Sequence, residues 1–302
     1  MNNVRIIGVP TDFGANIRGA NMAPSALRIA GLHDKIKLLG WTVDDIGDIQ
    51  VPIRETLDST ESNQQFLNAI VQIAKATAEK VEEALEAKTI PLVLGGDHCV
   101  AIGTVTGIAN FFAKKSKKCG MIWIDAHADI NTPETSLTRN IHGMPMSIII
   151  GKGYKSFTEL TLSAQKIDPK NIALIGIRML DGAEKELLKS SGIRYFTMRE
   201  IDERGMAVVM AEAIAVASLG TEGIHLSFDL DGIDPMYAPG VSTPVTGGIS
   251  YREAHLLLEM LADTGKMTSM EFVEYNPIQD EKQKTANLIT ELIQSALGKS
   301  IV

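Results

Sequence analysis

Residues 120–129 read GMIWIDAHAD. The first half is an unbroken apolar run, the pattern of a strand buried on both faces in a parallel sheet. The second half alternates Asp125, His127 and Asp129 with alanine, and in an extended segment alternate side chains share one face. A buried strand that ends in chemically able side chains therefore predicts both a fold class and a place for a site.

Working outward, the same grammar recurs. VRIIGVP (4–10), TIPLVLGG (89–96), IALIGIR (172–178), IHLSFDL (224–230) and SMEFVEY (269–275) read as further strands. Between them, AIVQIAKATAEKVEEALEA (69–87), MAVVMAEAIAVAS (206–218) and YREAHLLLEMLADT (251–264) carry apolar residues at helical spacing. Ser250 supplies an N-cap for the last, with Glu253 as its capping-box partner. Strands alternating with helices imply βαβ units, an α/β fold and a mostly parallel sheet. No long linker, repeat or low-complexity segment interrupts the chain, so residues 1–302 are expected to form one domain. Nearly every clear strand ends in polar residues: GGDH, DAHAD, GIR followed by MLD, DLDGID and EYNP. Open parallel sheets bind ligands outside the carboxyl ends of their strands, so these ends are expected to converge on one rim.

Composition narrows the function. With 29 Lys and Arg against 37 Asp and Glu, the formal net charge is −8. That excludes a general nucleic-acid binder, which needs a basic face to displace counterions, and tolerates a cationic small substrate. Cys99 and Cys119, the two cysteines, make no disulfide framework, which fits a reducing cytoplasm. No window approaches the apolar length of a membrane span, and the opening MNNVRIIGVPTDFG carries no signal-type apolar run. A cytoplasmic protein without membrane partners is expected.

Asp229 and Asp231 in FDLDG repeat the alternate spacing of DAHAD, and His98 closes a third strand after GGD. Four carboxylates at close range repel one another and resist ionisation, a cost that two divalent cations cancel. Carboxylate-rich ligation favours a hard cation such as Mn²⁺ over zinc. Either short motif alone is weak evidence for metal. Together, each at the end of an apolar strand, His98, Asp125, His127, Asp129, Asp229 and Asp231 predict a two-metal centre. His142, in the polar NIHGMP loop, reads as catalytic, whereas His33 and His255 read as surface or packing residues, and His225 and Cys99 as structural ones.

These segments resemble the ureohydrolase family and, within it, the arginases. The likeness rests on GGDH (95–98), DAHADINTPETS (125–136), NIHGMP (140–145), SFDLDGIDP (227–235), GVSTPVTGG (240–248), VEYNP (273–277) and the opening at 6–32. It implies a three-layer α/β/α fold around a mostly parallel eight-stranded sheet, two Mn²⁺ per subunit and a homotrimer or homohexamer. It also implies hydrolysis of the guanidinium C–N bond of L-arginine to L-ornithine and urea, by a hydroxide bridging the metals. By motif position, His98, Asp125, Asp129 and Asp229 would hold one metal; His127, Asp125, Asp229 and Asp231 would hold the other. His142 would shuttle protons and Glu274 would pair with the guanidinium. Asn131, Ser136 and Thr138 would meet the substrate carboxylate, Asp181 its amino group, and Thr243 a position beside the site.

One departure stands out. Similar arginases usually have glycine where Arg139 stands, so any left-handed backbone there becomes costly. Arg139 either points to solvent or lies near the substrate carboxylate. The alternatives to an arginase are another ureohydrolase acting on agmatine or a guanidino acid, a non-catalytic relative that has lost metal, and a single-zinc deacetylase on a related fold. The presence of Asn131 and the hydroxyls after it favours arginine, and all six ligand positions are filled.

Overall fold

The structure, a computed structural model, describes residues 2–57, 64–161 and 163–300. The outermost residues of the expected 1–302 domain therefore lie outside the described part. Eight strands form one sheet: β1 (Asn3–Gly8), β2 (Thr42–Asp48), β3 (Ile90–Leu94), β4 (Cys119–Ile124), β5 (Ile172–Ile177), β6 (Arg194–Thr197), β7 (Gly223–Asp229) and β8 (Met267–Val273). Their order is β2-β1-β3-β8-β7-β4-β5-β6, and every neighbouring pair is parallel. All six strands read from the sequence are present. β2 and β6, which the apolar runs did not reveal, are the two edges.

Strand parity sorts the core into layers. Ile122 and Ile124 of β4, Leu226 and Phe228 of β7 and Met270 and Phe272 of β8 face helices Met206–Ser218, Tyr251–Asp263 and Lys284–Ala296. Ile7 of β1, Val93 of β3 and Val273 of β8 face the opposite layer, built chiefly from helices Gln64–Glu86 and Val100–Lys114. Met121 and Trp123 of β4 pack beside Ala101 and Val105 of the second of these. The result is the expected three-layer arrangement. The helix beginning at Tyr251 has the predicted capping box, with Ser250 accepting from the Glu253 N–H and the Glu253 side chain accepting from Ser250 N–H. Among the described residues, no helix is long and apolar enough to cross a membrane.

Sheet order decides where the site can lie. Polar residues follow the carboxyl ends of β3, β8, β7, β4 and β5, which are consecutive neighbours in the middle of the sheet. Five separate stretches of chain are thereby delivered to one rim. The turn after β3 is tight: a side chain at Gly96 would place its Cβ on the Thr11 carbonyl oxygen, so only glycine lets the GGDH segment pack there. The Asp97 N–H donates to that same oxygen at 3.0 Å.

A candidate metal centre

The side chains after β3, β4 and β7 form two groups of donors. His98, Asp125, Asp129 and Asp229 make one, and Asp125, His127 and Asp231 the other, so Asp125 belongs to both. His98 Nδ1 lies 3.0 Å from Asp229 Oδ2, 3.1 Å from Asp129 Oδ2 and 3.3 Å from Asp125 Oδ2. His127 Nδ1 lies 3.1 Å from Asp231 Oδ2 and 3.4 Å from Asp125 Oδ1. All six expected ligands are thus brought together. Asp229, expected like Asp125 to bridge, enters only the first group; its Oδ1 accepts the Asp231 N–H at 2.8 Å.

The donors fit divalent cations. Among the described residues, buried His98 Nδ1 finds no hydrogen-bond partner, although three carboxylate oxygens surround it. A nitrogen aimed at converging oxygens without bonding to any of them is what a ligand cage presents. Electrostatics agree. Burial, then the neighbouring carboxylates Asp231 and Asp125, push Asp229 well above the ordinary carboxylate range. Asp129 is pushed up to about 6 by burial and the charge of Asp125. Burial pulls His98 and His127 down, but the surrounding carboxylates more than reverse this and hold both well above an ordinary histidine.

Outer contacts hold these ligands. Trp123 Nε1 donates to Asp125 Oδ2 at 2.8 Å, and its ring stacks on His98 with centroids 3.9 Å apart. Thr243 Oγ1 donates to Asp231 Oδ2 at 2.9 Å, which places the loop hydroxyl on a ligand. Arg178 reaches across from β5 and donates to the main-chain oxygens of Asp231 and Val245 at 2.6 and 2.7 Å, fixing the turn that carries Asp231.

A cavity of about 160 Å³ opens over this cluster, lined in part by His127, Asp129, Asp229, Asp231, His142 and Glu274. Glu274 is 1% exposed. Its Oε1 accepts the His98 N–H at 2.9 Å and lies 2.9 Å from His142 Nδ1, while its Oε2 is buried without a partner. Burial alone would lower His142, but Glu274 more than offsets it and the ring is raised to about 9. Asp129 and Glu274 both adopt left-handed backbone, with φ of 48° and 62°. Non-glycine residues held this way cost on the order of 1–3 kcal/mol each and collect at functional sites.

The remaining predicted residues divide. Asn131 lines the cavity; its Nδ2 donates to Asp181 Oδ2 at 2.8 Å and its Oδ1 accepts from Thr135 Oγ1 at 2.8 Å. Asp181 is the N-cap of helix Gly182–Ser191 and accepts from Glu184 N at 2.8 Å. Ser136 and Thr138 are outside the cavity lining: their hydroxyls accept from Arg139 N at 2.9 Å and Asn140 N at 3.2 Å within their own loop. Arg139 is exposed, with φ of 61°. His225 and Cys99 are buried, His255 is buried against Ser295, and His33 lies half-exposed on its helix, as expected. Sequence reading missed Glu184, a buried cavity-lining acid pushed up to about 7 by burial and by Asp129. The D-x-x-E spacing from Asp181 was the signal, since Glu184 completes the capping box.

The arginase family model matches residues 2–298. The chain is 47% identical to the arginase of Bacillus subtilis (strain 168), over 299 residues that cover 99% of each protein. The crystal structure of the arginase from Bacillus caldovelox superposes with a TM-score of 0.94 at 44% identity, covering all of both chains. An Entamoeba histolytica arginase solved in complex with L-ornithine matches with a TM-score of 0.90 at 30% identity, over 99% of this chain and 98% of that one.

Proposed function

This chain belongs to the arginase family, and we propose that it hydrolyses the guanidinium C–N bond of L-arginine to give L-ornithine and urea, as a cytoplasmic enzyme holding two Mn²⁺ in each subunit of a homotrimer or homohexamer. The observation that carries the reading is the cavity itself. Four of the six ligand side chains, His127, Asp129, Asp229 and Asp231, line it with His98 and Asp125 grouped behind them, and the buried carboxylate of Glu274 stands in the same wall as His142.

His98, Asp125, Asp129 and Asp229 would hold one ion, and His127, Asp125 and Asp231 the other, with Asp229 completing the second. Bound divalent cations supply a water acidic enough to act as nucleophile near neutral pH. The chain does the rest. The Glu274 carboxylate can accept from the in-plane N–H edge of a guanidinium, which would orient the guanidinium carbon toward the ligand side chains. His142, 2.9 Å from Glu274 Oε1, would give a proton to the nitrogen that leaves as the ornithine amine. Asn131 in the cavity wall, and Asp181 hydrogen-bonded to it from outside the lining, would meet the amino-acid end of the substrate, and Thr243 steadies Asp231. Ser136 and Thr138 would serve the carboxylate from the adjoining loop.

The test is urea release from L-arginine by the Mn²⁺-loaded protein and by Asp125→Asn. Asp125 belongs to both donor groups, so losing its charge weakens both at once and should lower turnover by about a hundredfold or more. Near-native turnover by the variant at full metal occupancy would sink the two-metal reading.

A further inference from the structure

Behind the metal centre, β7 and β8 carry a buried polar row. Ser227 pairs in register with Glu271, and His225 with Ser269. All four are fully buried, on the sheet face opposite Leu226, Phe228, Met270 and Phe272. Burying a carboxylate in the middle of a sheet is expensive unless its bonds do something. None of these four residues is a metal ligand, and none lines the cavity.

The bonds run in a definite sense. His98 Nδ1 points into the carboxylate cluster, so it is the metal-facing nitrogen and must carry no proton when ligating. The ring proton then sits on Nε2, 2.9 Å from Ser227 Oγ. A serine hydroxyl has one proton to give. Having accepted from His98, Ser227 donates to Glu271 Oε1 at 2.8 Å. A carboxylate only accepts, so it fixes the direction of the whole chain. His225 steadies it, with Nε2 3.3 Å from Glu271 Oε1 and Nδ1 3.0 Å from Ser269 Oγ.

We infer that Glu271 is a positioning residue for the metal centre: through Ser227 it holds His98 in the tautomer whose Nδ1 is free to bind the ion, and His225 holds Glu271 in place. This rests on the two-metal reading above. An amide at position 271 can offer an N–H toward Ser227. The hydroxyl would then turn to donate to His98 Nε2, which places the ring proton on Nδ1 and blocks ligation.

Mn²⁺ titration of the metal-free full-length protein tests this in four forms: wild type, Glu271→Gln, Ser227→Ala and the double variant. Glu271→Gln should weaken one of the two equivalents by about 10–100-fold, the usual effect of a contact behind a ligand, and change the other much less. In the Ser227→Ala background, Glu271→Gln should cost no more than about twofold further, because the path to His98 is already cut. A merely structural role would make the two losses add. Additive losses, or wild-type Mn²⁺ affinity in Glu271→Gln, overturn the inference. Should Glu271→Gln fail to fold, Glu271→Asp keeps the charge but shortens the reach. It should weaken the same equivalent, and additivity with Ser227→Ala or unchanged affinity again overturns the inference. Wild-type protein that takes up fewer than two equivalents would defeat the metal reading and this inference together. Full wild-type uptake with unaffected variants defeats only the inference.

Discussion

At position 139 an arginine occupies left-handed backbone, with φ of 61°. For a side chain with a Cβ this costs about 1–2 kcal/mol, and glycine escapes it. Arg139→Gly should therefore stabilise the loop, the gain being reduced by the roughly 0.5–1 kcal/mol of extra chain entropy that glycine loses on folding. A rise in melting temperature of about 1–2 °C is expected. Because the arginine is exposed, KM for arginine should not change. If KM rises for arginine but not for agmatine, the guanidinium acts on the substrate carboxylate and the solvent-facing reading is wrong. Single residues of the site were legible where chemistry and strand-end spacing coincide, as in Asp125, His127 and Asp129. Others were not, because their meaning depends on a neighbour distant in sequence. Glu271 reads as an ordinary strand residue until Ser227, 44 positions away, is found beside it. Resemblance alone placed Thr243 beside the site, and its hydrogen bond to Asp231 appears only when the loop folds back.

Among the elements, the helix Gly182–Ser191 brings the site and its local stability into one side chain. Asp181 caps this helix through Glu184 N and accepts from Asn131, so a simple deletion would confound two effects. Serine caps about as well as aspartate, whereas alanine loses about 1 kcal/mol. Asp181→Ser should hold stability nearly constant while raising KM for arginine. Asp181→Ala should raise KM and also lower the denaturant midpoint. Equal stability losses in the two variants would show that the carboxylate serves packing or charge beyond the cap. The central strands were readable because burial on both faces leaves an unbroken apolar run. The edges were not. β2 reads TVDDIGD and is largely exposed, and β6 is only four residues, RYFT. Short, charged edge strands resist unwanted pairing with other chains, and the same features erase the apolar signal.

The whole molecule gathers titrating groups where two cations are proposed to sit, which makes its stability depend on pH in a predictable sense. In the metal-free protein Asp129 is raised to about 6 and His142 to about 9, both above their unfolded values. Groups raised on folding stabilise at low pH, and that contribution is lost as pH climbs through the folded values. The metal-free protein should therefore weaken from about pH 4 to 9, while metal binding, which needs deprotonated ligands, strengthens. Thermal scans with and without Mn²⁺ should show a gap in melting temperature that widens from pH 6 to 8.5, and a constant or narrowing gap would contradict the proposed charge balance. The three-layer fold was legible as a whole because strand and helix patterns alternate; strand order was not, since periodicity carries no record of which strands lie side by side. Substrate choice is the property on which an arginase differs from the other ureohydrolases. Arginine and agmatine share the guanidinium and differ only at the end that Asn131 and Asp181 would meet, and a site built to hydrogen-bond a group rejects the analogue lacking it. The direct measurement is kcat/KM for arginine, agmatine and guanidinobutyrate on the Mn²⁺-loaded protein. The account predicts that arginine exceeds agmatine by about a thousandfold or more; a preference for agmatine or guanidinobutyrate would contradict it.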